Sequence, residues 1–413
     1  MKRYPKYKDS GVSWLGEIPY EWVVRRARFL CSIGTGSADT EDKEDEAAVP
    51  FYVRSQTVEC ISKPTHSGEA VLTAGDGAGV GKVYHHHRRG PFAAHQRVYV
   101  MQDFSGVTAR YFYYAFSGMF AKVALDGGAK STVDSLRRPM LTNFFVALPG
   151  LSEQERITDY LDSAISTIDT AISSQERLIE LLKERRSVII TLAVTKGLDP
   201  KAKMKDSGVP WLGQVPVHWD IKRCKHFLRE RNLRSIDGSE VLLSVSEYFG
   251  VKPRAEAIDE GDVLVRAKTL VDYKVCRAGD LVMNIMLAWK RAYGVTKYDG
   301  IVSPAYAVFK FISNQMVPEY LHYLLRTDIY ADEFKRNSSG VIDSRLRLYP
   351  EDFFRIPFLI PPIGEQKAIV QQLDDAINQM DSAMLSQGRM IELLKERRSA
   401  IITQAVTGQI DVR

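Results

Sequence analysis

The densest run of reactive side chains is GDGAGVGKVYHHHRRG at residues 75–90, where five glycines fall within sixteen positions, alongside a lysine, three consecutive histidines and two arginines. A phosphate-binding loop needs a glycine, four residues, then Gly-Lys-Ser/Thr, because backbone N–H groups wrap the phosphate and the hydroxyl takes the magnesium. Here Asp76 stands where the first glycine belongs and Val83 where the hydroxyl belongs. The dinucleotide pattern GxGxxG also fails, at Val80 in one frame and at Lys82 in the other. Metal ligation asks for histidines that share a face, which leaves His85, His87 and His95 as the candidate set, with no cysteine or carboxylate pair beside them. What remains is a loop free to bend, next to a cluster of hydrogen-bond donors. That composition suits phosphate oxygens or base edges of nucleic acid, and equally a solvated basic turn.

Elsewhere the sequence holds little that could make or break bonds. No Gly-x-Ser-x-Gly, His-Glu-x-x-His or Asn/Asp-Pro-Pro-aromatic stretch occurs. Asp272-Tyr273-Lys274 has the Asp-x-Lys form of many nucleases, but so short a pattern arises by chance in a chain of 413 residues, and a structural role is the better reading. The aromatic runs RYFYYAF (110–116) and YLHYLL (320–325) read as buried helix faces rather than stacking platforms. Four widely separated cysteines, Cys31, Cys60, Cys224 and Cys276, form no metal-ligand pair and point to a reducing compartment. No run approaches the roughly 18 apolar residues of a membrane span, so a cytoplasmic protein is expected. A net charge of +5 tolerates a polyanion without demanding one.

The elements that position these residues come in two copies. KDSGVSWLGEIPYEW (Lys8–Trp22) returns as KDSGVPWLGQVPVHW (Lys205–Trp219), an offset of 197, and IELLKERRS (Ile179–Ser187) returns unchanged at Ile391–Ser399, an offset of 212. Between the matched blocks, residues 31–144 and 229–356 show no evident similarity. Each copy is therefore a constant start, a variable middle and a constant end. Two long copies imply two globular modules, since a solenoid needs at least about three stacked units. The middles mix β-branched runs such as RVYVMQ and YAVFKFI with helical stretches such as VPEYLHYLLRT, which marks the fold class as α+β.

The constant ends carry the periodicity of a coiled-coil seam. Ile165, Ile168, Ile172, Gln175, Ile179, Leu182, Arg186, Ile189 and Ala193 alternate steps of three and four. Ile377, Met380, Met384, Gln387, Ile391, Leu394, Arg398, Ile401 and Ala405 keep the same phase. Ser152 with Glu155 reads as a capping box, the prolines of IPPIGEQ exclude an earlier start of the second helix, and Gly197 and Gly408 stand at the expected C-terminal caps. Each helix is then about 44 residues or roughly 65 Å long. Neither can bury its seam alone. An antiparallel pair within the chain is favoured over a coiled coil between two chains, because sequential elements usually neighbour each other.

Taken together, two WLGxxPxxW starts, two variable middles and two long helices entered through LPGLSEQERI and IPPIGEQKAI resemble the DNA specificity subunit of type I restriction-modification systems. The resemblance spans the whole chain and is carried most by Glu153-Gln154 and Glu365-Gln366 and by the approaches GGAKSTVDSLRRPMLTNFFVALP and NSSGVIDSRLRLYPEDFFRIPFLIP. Gly150 departs from the pattern where the second copy has Pro362. The resemblance implies two globular target recognition domains, at 1–150 and 198–362, separated by two long antiparallel coiled-coil helices at 151–197 and 363–413 in a pseudo-twofold arrangement. The amino terminus would then pack near the end of the second helix.

It further implies a polypeptide that is not itself an enzyme and binds no cofactor. Double-stranded DNA, two modification (methyltransferase) subunits and restriction (translocase/nuclease) subunits would be its partners, and the complex would use S-adenosylmethionine, ATP and Mg. The alternative is a coiled-coil scaffold that binds proteins and never touches DNA. The candidate DNA contacts are Lys82, His87, Arg88, Arg89, Lys130 and Ser131 in the first domain. In the second they are Lys268, Lys274, Lys290, Arg291, Arg345 and Arg347. Helices of this length would act as a ruler between two half-sites, at least about one DNA turn of 34–36 Å apart.

Overall fold

In the computed structural model the described residues are 2–413 other than 56, 77–79, 88–89, 126–134, 248–249, 258–268 and 343–344. Residues 1–176 with 387–413 make one compact unit and residues 177–386 the other. The division differs from one that sets the heads apart from their helices. Each helix is cut near its middle, because each half shares a hydrophobic core with a head of its own unit.

In unit 1 the variable middle folds around a four-stranded sheet of β1 (Ser32–Thr35), β2 (Ala70–Ala74), β3 (Val83–His86) and β4 (Val98–Gln102). The order is β1-β4-β2-β3 with every pairing antiparallel. Side-chain alternation splits its interior in two. Ile33, Val71 and Met101 face the helix α1 (Ala109–Leu125), whose Tyr111, Phe112 and Phe116 are fully buried. Ala70, Leu72, Val98 and Val100 face Tyr52, Phe92 and Ala94 on the other side. A central strand with both faces covered carries no polar alternation, which is why AVLTA is buried throughout. The long helix α2 (Leu151–Lys196) leaves this unit at its middle.

Unit 2 repeats the plan where the sequences show no match. Strands β5 (Leu228–Glu230), β6 (Leu281–Asn284), β7 (Tyr293–Val295) and β8 (Tyr306–Phe311) lie in the order β5-β8-β6-β7, all antiparallel. Leu281, Met283, Ala307 and Phe309 face α3 (Pro318–Leu325) and α4 (Asp328–Arg336), while Val282 and Val308 face Leu243, Val245 and Val302. The second long helix, α5 (Ile363–Val406), begins here and ends in unit 1.

Within unit 1 the end of α5 lies near the start of α2, because Tyr111 donates from its hydroxyl to both Ala147 O and Val406 O, and further along Arg398 pairs with Asp169 at 3.0 Å. Within unit 2 Gly197, just past α2, approaches Glu365, and Arg186 pairs with Asp381 at 2.7 Å. The helices run antiparallel in both units. Ile165, Ile168, Ile377, Met380 and Ile391 are buried, and Ile172, Gln175, Ile179, Leu182, Met384, Gln387 and Leu394 half-buried, so the seam faces inward throughout. The two arginine interruptions meet aspartates at repeat-equivalent positions. Such half-exposed pairs add only ~0–1 kcal/mol each and serve alignment more than stability.

The helix starts correct one expectation. Glu153 N and Gln154 N both donate to Gly150 O, and Glu365 N and Gln366 N to Pro362 O, so Gly150 and Pro362 hold the N-cap positions. Ser152 lies inside the first turn, where its side chain cannot act as the cap of a box with Glu155. The glycine caps form as expected, with φ of +81° at Gly197 and +71° at Gly408. Both lie close against the constant starts, Gly197 against Trp219 and Gly408 against Pro19 and Trp22. The amino terminus pairs with the segment after α5, Lys2 bridging Asp411 and Tyr7 OH donating to Gly408 O at 3.0 Å. Among the described residues no helix is long and apolar enough to cross a membrane.

Candidate nucleic-acid interface

In each unit one loop leaves a central strand carrying basic donors, exposed Lys290 and half-buried Arg291 in unit 2 and half-buried Lys82 in unit 1. In unit 2 the connection from β6 to β7 makes a single 3-10 turn at Ala288–Lys290, and Arg291 closes it with φ of +67°. The Trp289 ring carries Lys290 Nζ at 5.1 Å and Lys335 Nζ, from α4, at 4.9 Å from its centroid. Arg291 donates from Nη2 to Asp328 at the start of α4. Trp289, Lys290, Arg291 and Lys335 line one open depression together with Glu247 and Asp332. Leu348 N donates to Ile285 O at 2.9 Å, and the Ser339–Arg347 bridge places exposed Arg345 and Arg347 on the segment leading to Leu348.

In unit 1 the equivalent connection, from β2 to β3, is the glycine-rich loop. Leu136 N donates to Gly75 O at 2.7 Å, the counterpart of the Leu348–Ile285 bond. Burial pushes the Asp76 carboxyl up, but hydrogen bonds from Arg97 (2.6 Å) and Arg54 (3.4 Å) outweigh it and hold the group below the usual carboxylate range. Lys82 Nζ sits 4.8 Å from the Tyr84 ring centroid, and its carbonyl accepts from Thr73 Oγ1.

The three histidines separate by strand alternation. His86 points inward to Tyr52 OH, His85 stacks on Tyr113 and bonds Glu69 at 2.9 Å, and His87 is exposed. Burial lowers the His85 pKa, partly opposed by Glu69. His95 is buried beside Asp39. Among the described residues no cluster of three or more His, Cys, Asp or Glu could hold a metal.

The structure thus brings Lys290, Arg291, Arg345 and Arg347 to neighbouring segments in unit 2, and Lys82 and His87 to the two ends of β3 in unit 1. Lys274 is different. It is 8% exposed, and its ammonium donates to Glu230 at 3.1 Å, so it is committed inside the fold. Asp272, its neighbour in the Asp-x-Lys tripeptide, has φ of +65° and accepts from Arg234 through its carbonyl, a turn role. Arg88, Arg89, Lys130, Ser131 and Lys268 lie outside the described residues. Sequence reasoning missed Trp289, Asp328 and Lys335. The Trp-Lys-Arg run at 289–291 was the available signal, but the contribution from α4 is visible only in three dimensions.

The glutamines of the Glu-Gln pairs are internal. Gln154 is fully buried, accepts from Thr108 N at 2.9 Å and donates to Gly106 O and Pro149 O at 3.2 and 3.0 Å. Gln366 does the same with Val317 N, Gln315 O and Pro361 O at 2.7, 2.8 and 2.8 Å. Each ties the start of a long helix to the segment before the head's own helix.

Comparison with known proteins agrees with this arrangement. Residues 19–181 match the type I restriction modification DNA specificity domain. The chain is 21% identical to the Escherichia coli type I restriction enzyme EcoDI specificity subunit, over 96% of this chain and 90% of that one. Along nearly its whole length the chain is thus similar to type I restriction-modification specificity subunits. It is also 21% identical to the putative type I restriction enzyme MjaX specificity subunit of Methanocaldococcus jannaschii, over 100% of this chain and 99% of the other. The fold is shared with a solved chain of a type I restriction-modification system (TM-score 0.69, 14% identity, 95% of this chain and 99% of that one). It is shared too with the HsdS subunit from Thermoanaerobacter tengcongensis (TM-score 0.50, 13% identity, 95% and 98%). In this chain the head-and-helix plan is what the two copies share, and the loops after β2 and β6 are where they diverge.

Proposed function

We propose that this chain supplies the DNA sequence specificity of a type I restriction-modification complex, each unit's head reading one half of a split duplex site. The observation that carries this reading is the equivalence of the two loops. Unrelated sequences hang donors from the same connection of the same sheet, latched by the same backbone bond. A constant frame with divergent donor loops is what reading two different half-sites requires, since phosphate contacts set register and base-edge contacts carry sequence. The two long helices dock two modification subunits, and restriction subunits join them. S-adenosylmethionine, ATP and Mg serve those partners, which flip and methylate the target adenine and drive translocation and cleavage. No catalytic step is assigned to this polypeptide, and it acts in the cytoplasm.

Enrichment from a library of random duplexes, with the full chain alone and with a modification subunit, tests the proposal. A bipartite motif with a constant gap is the expected result. Retention of all sequences alike, at a level set only by salt, would replace it with the protein-binding scaffold.

A further inference from the structure

The left-handed backbone at 291 closes the turn at Ala288–Lys290, but folding does not explain why an arginine occupies it. Glycine or asparagine fits φ of +67° with little strain, whereas a long L side chain there is unfavourable. The side chain's bond to Asp328 does not offset this, because the Asp328 carboxylate is 71% exposed and such pairs contribute little. Backbone strain kept without a stability gain points to a use for the side chain. The surroundings indicate which use. One carboxylate oxygen takes one of the five guanidinium donors and aims the fork, while Arg291 Nε is buried and unpaired, which leaves the remaining Nη donors to face a ligand. Lys290 and Lys335 stand on Trp289 next to it, two point charges of the kind that grip phosphates on either side of a groove.

We infer that Arg291 is a specificity-determining residue of unit 2 that reads a guanine edge through its fork, positioned by Asp328, while Lys290 and Lys335 contact the phosphate backbone. The inference rests on the DNA-reading function proposed above. Guanine is the base whose O6 and N7 acceptors match a bidentate arginine in the major groove. Asp328 is a positioning residue, and its carboxylate does not itself touch DNA.

The test is motif enrichment and competition binding with the full chain and its modification subunit. Arg291→Gly relieves the strained φ, so its melting temperature is expected to equal or exceed that of the parent. One base pair of one half-site should meanwhile lose its preference by roughly 5- to 150-fold, the other half-site staying intact. Arg291→Lys keeps the charge and should lose the same preference. Asp328→Asn should weaken it at that same base pair without changing the salt dependence. Lys290→Ala should weaken all sequences alike and reduce the salt slope by about one. If the parent enriches a bipartite motif and Arg291→Gly leaves that motif unchanged, or lowers every sequence equally, the role of Arg291 is overturned while the function stands. A parent that enriches no motif overturns both.

Discussion

Removing Gln366 should cost unit 2 more than any surface change in the chain. The side chain is fully buried and satisfies one backbone N–H and two backbone carbonyls from two different segments, 315–317 and the approach to α5. Gln366→Ala strands all three. Each buried unpaired group costs about 1–3 kcal/mol, so with some water entering the vacated space the expected loss is about 3–6 kcal/mol. That is a large share of the roughly 5–15 kcal/mol typical of a domain. Gln366→Glu separates hydrogen bonding from packing, because it keeps the volume and the acceptor for Val317 N but turns a donor toward Gln315 O and Pro361 O into a second acceptor. The ionised form is then opposed by two carbonyls, which raises the folded-state pKa of the introduced carboxyl above its unfolded value. Protonation restores a donor, so the stability of this variant should be greatest below about pH 4 and fall as pH rises through the raised folded pKa. Urea denaturation followed by circular dichroism from about pH 4 to 8 measures both effects. Gln154→Ala should reproduce the loss in unit 1. An alanine cost below about 1 kcal/mol in both units, or a glutamate variant as stable as the parent at about pH 7, would refute the reasoning.

Acid should act through His322, whose pKa is pushed down to about 4 by burial, with Arg326 and Lys297 adding to the effect. The unfolded chain takes up a proton near pH 6.5 that the folded chain refuses. The resulting stability is therefore complete above about 6.5, and about 3 kcal/mol of it is lost by about pH 4; His322→Gln should flatten the dependence of urea midpoint on pH in that window. Gly408→Ala places a methyl group against the Pro19 ring at φ of +71°, and should cost about 2–4 kcal/mol. Gly16→Ala, at φ of +63° with open space, should cost only about 1–2 kcal/mol, and comparing their thermal midpoints separates crowding from backbone strain. Deleting one heptad from both long helices should change the number of base pairs between the half-sites and leave each half-site intact; an unchanged gap in the enriched motif would defeat the ruler idea.

Sequence alone determined whatever is periodic or repeated. The seam at Ile165, Ile168 and their counterparts, the caps at Gly197 and Gly408, and the doubled plan are local or self-referring patterns, and a helix of this length imposes its roughly 3.6-residue geometry wherever it packs. The mixed α+β character of the heads was legible for the same reason, since RVYVMQ and YAVFKFI are β4 and β8 and the aromatic runs lie on α1 and α3. What only the tertiary structure decided is what meets what. Residues 31–144 and 229–356 share a strand order without sharing sequence, because burial on a sheet asks for apolar size and alternation and not for particular residues. Lys274 was indistinguishable by type from Lys290, yet Glu230 draws one inward while Trp289 holds the other at the surface. The Asp328 that aims Arg291 is 37 positions away along the chain. A lysine's composition and spacing carry its charge; whether that charge is free for a ligand depends on the dielectric and partners around it, which long-range packing alone sets.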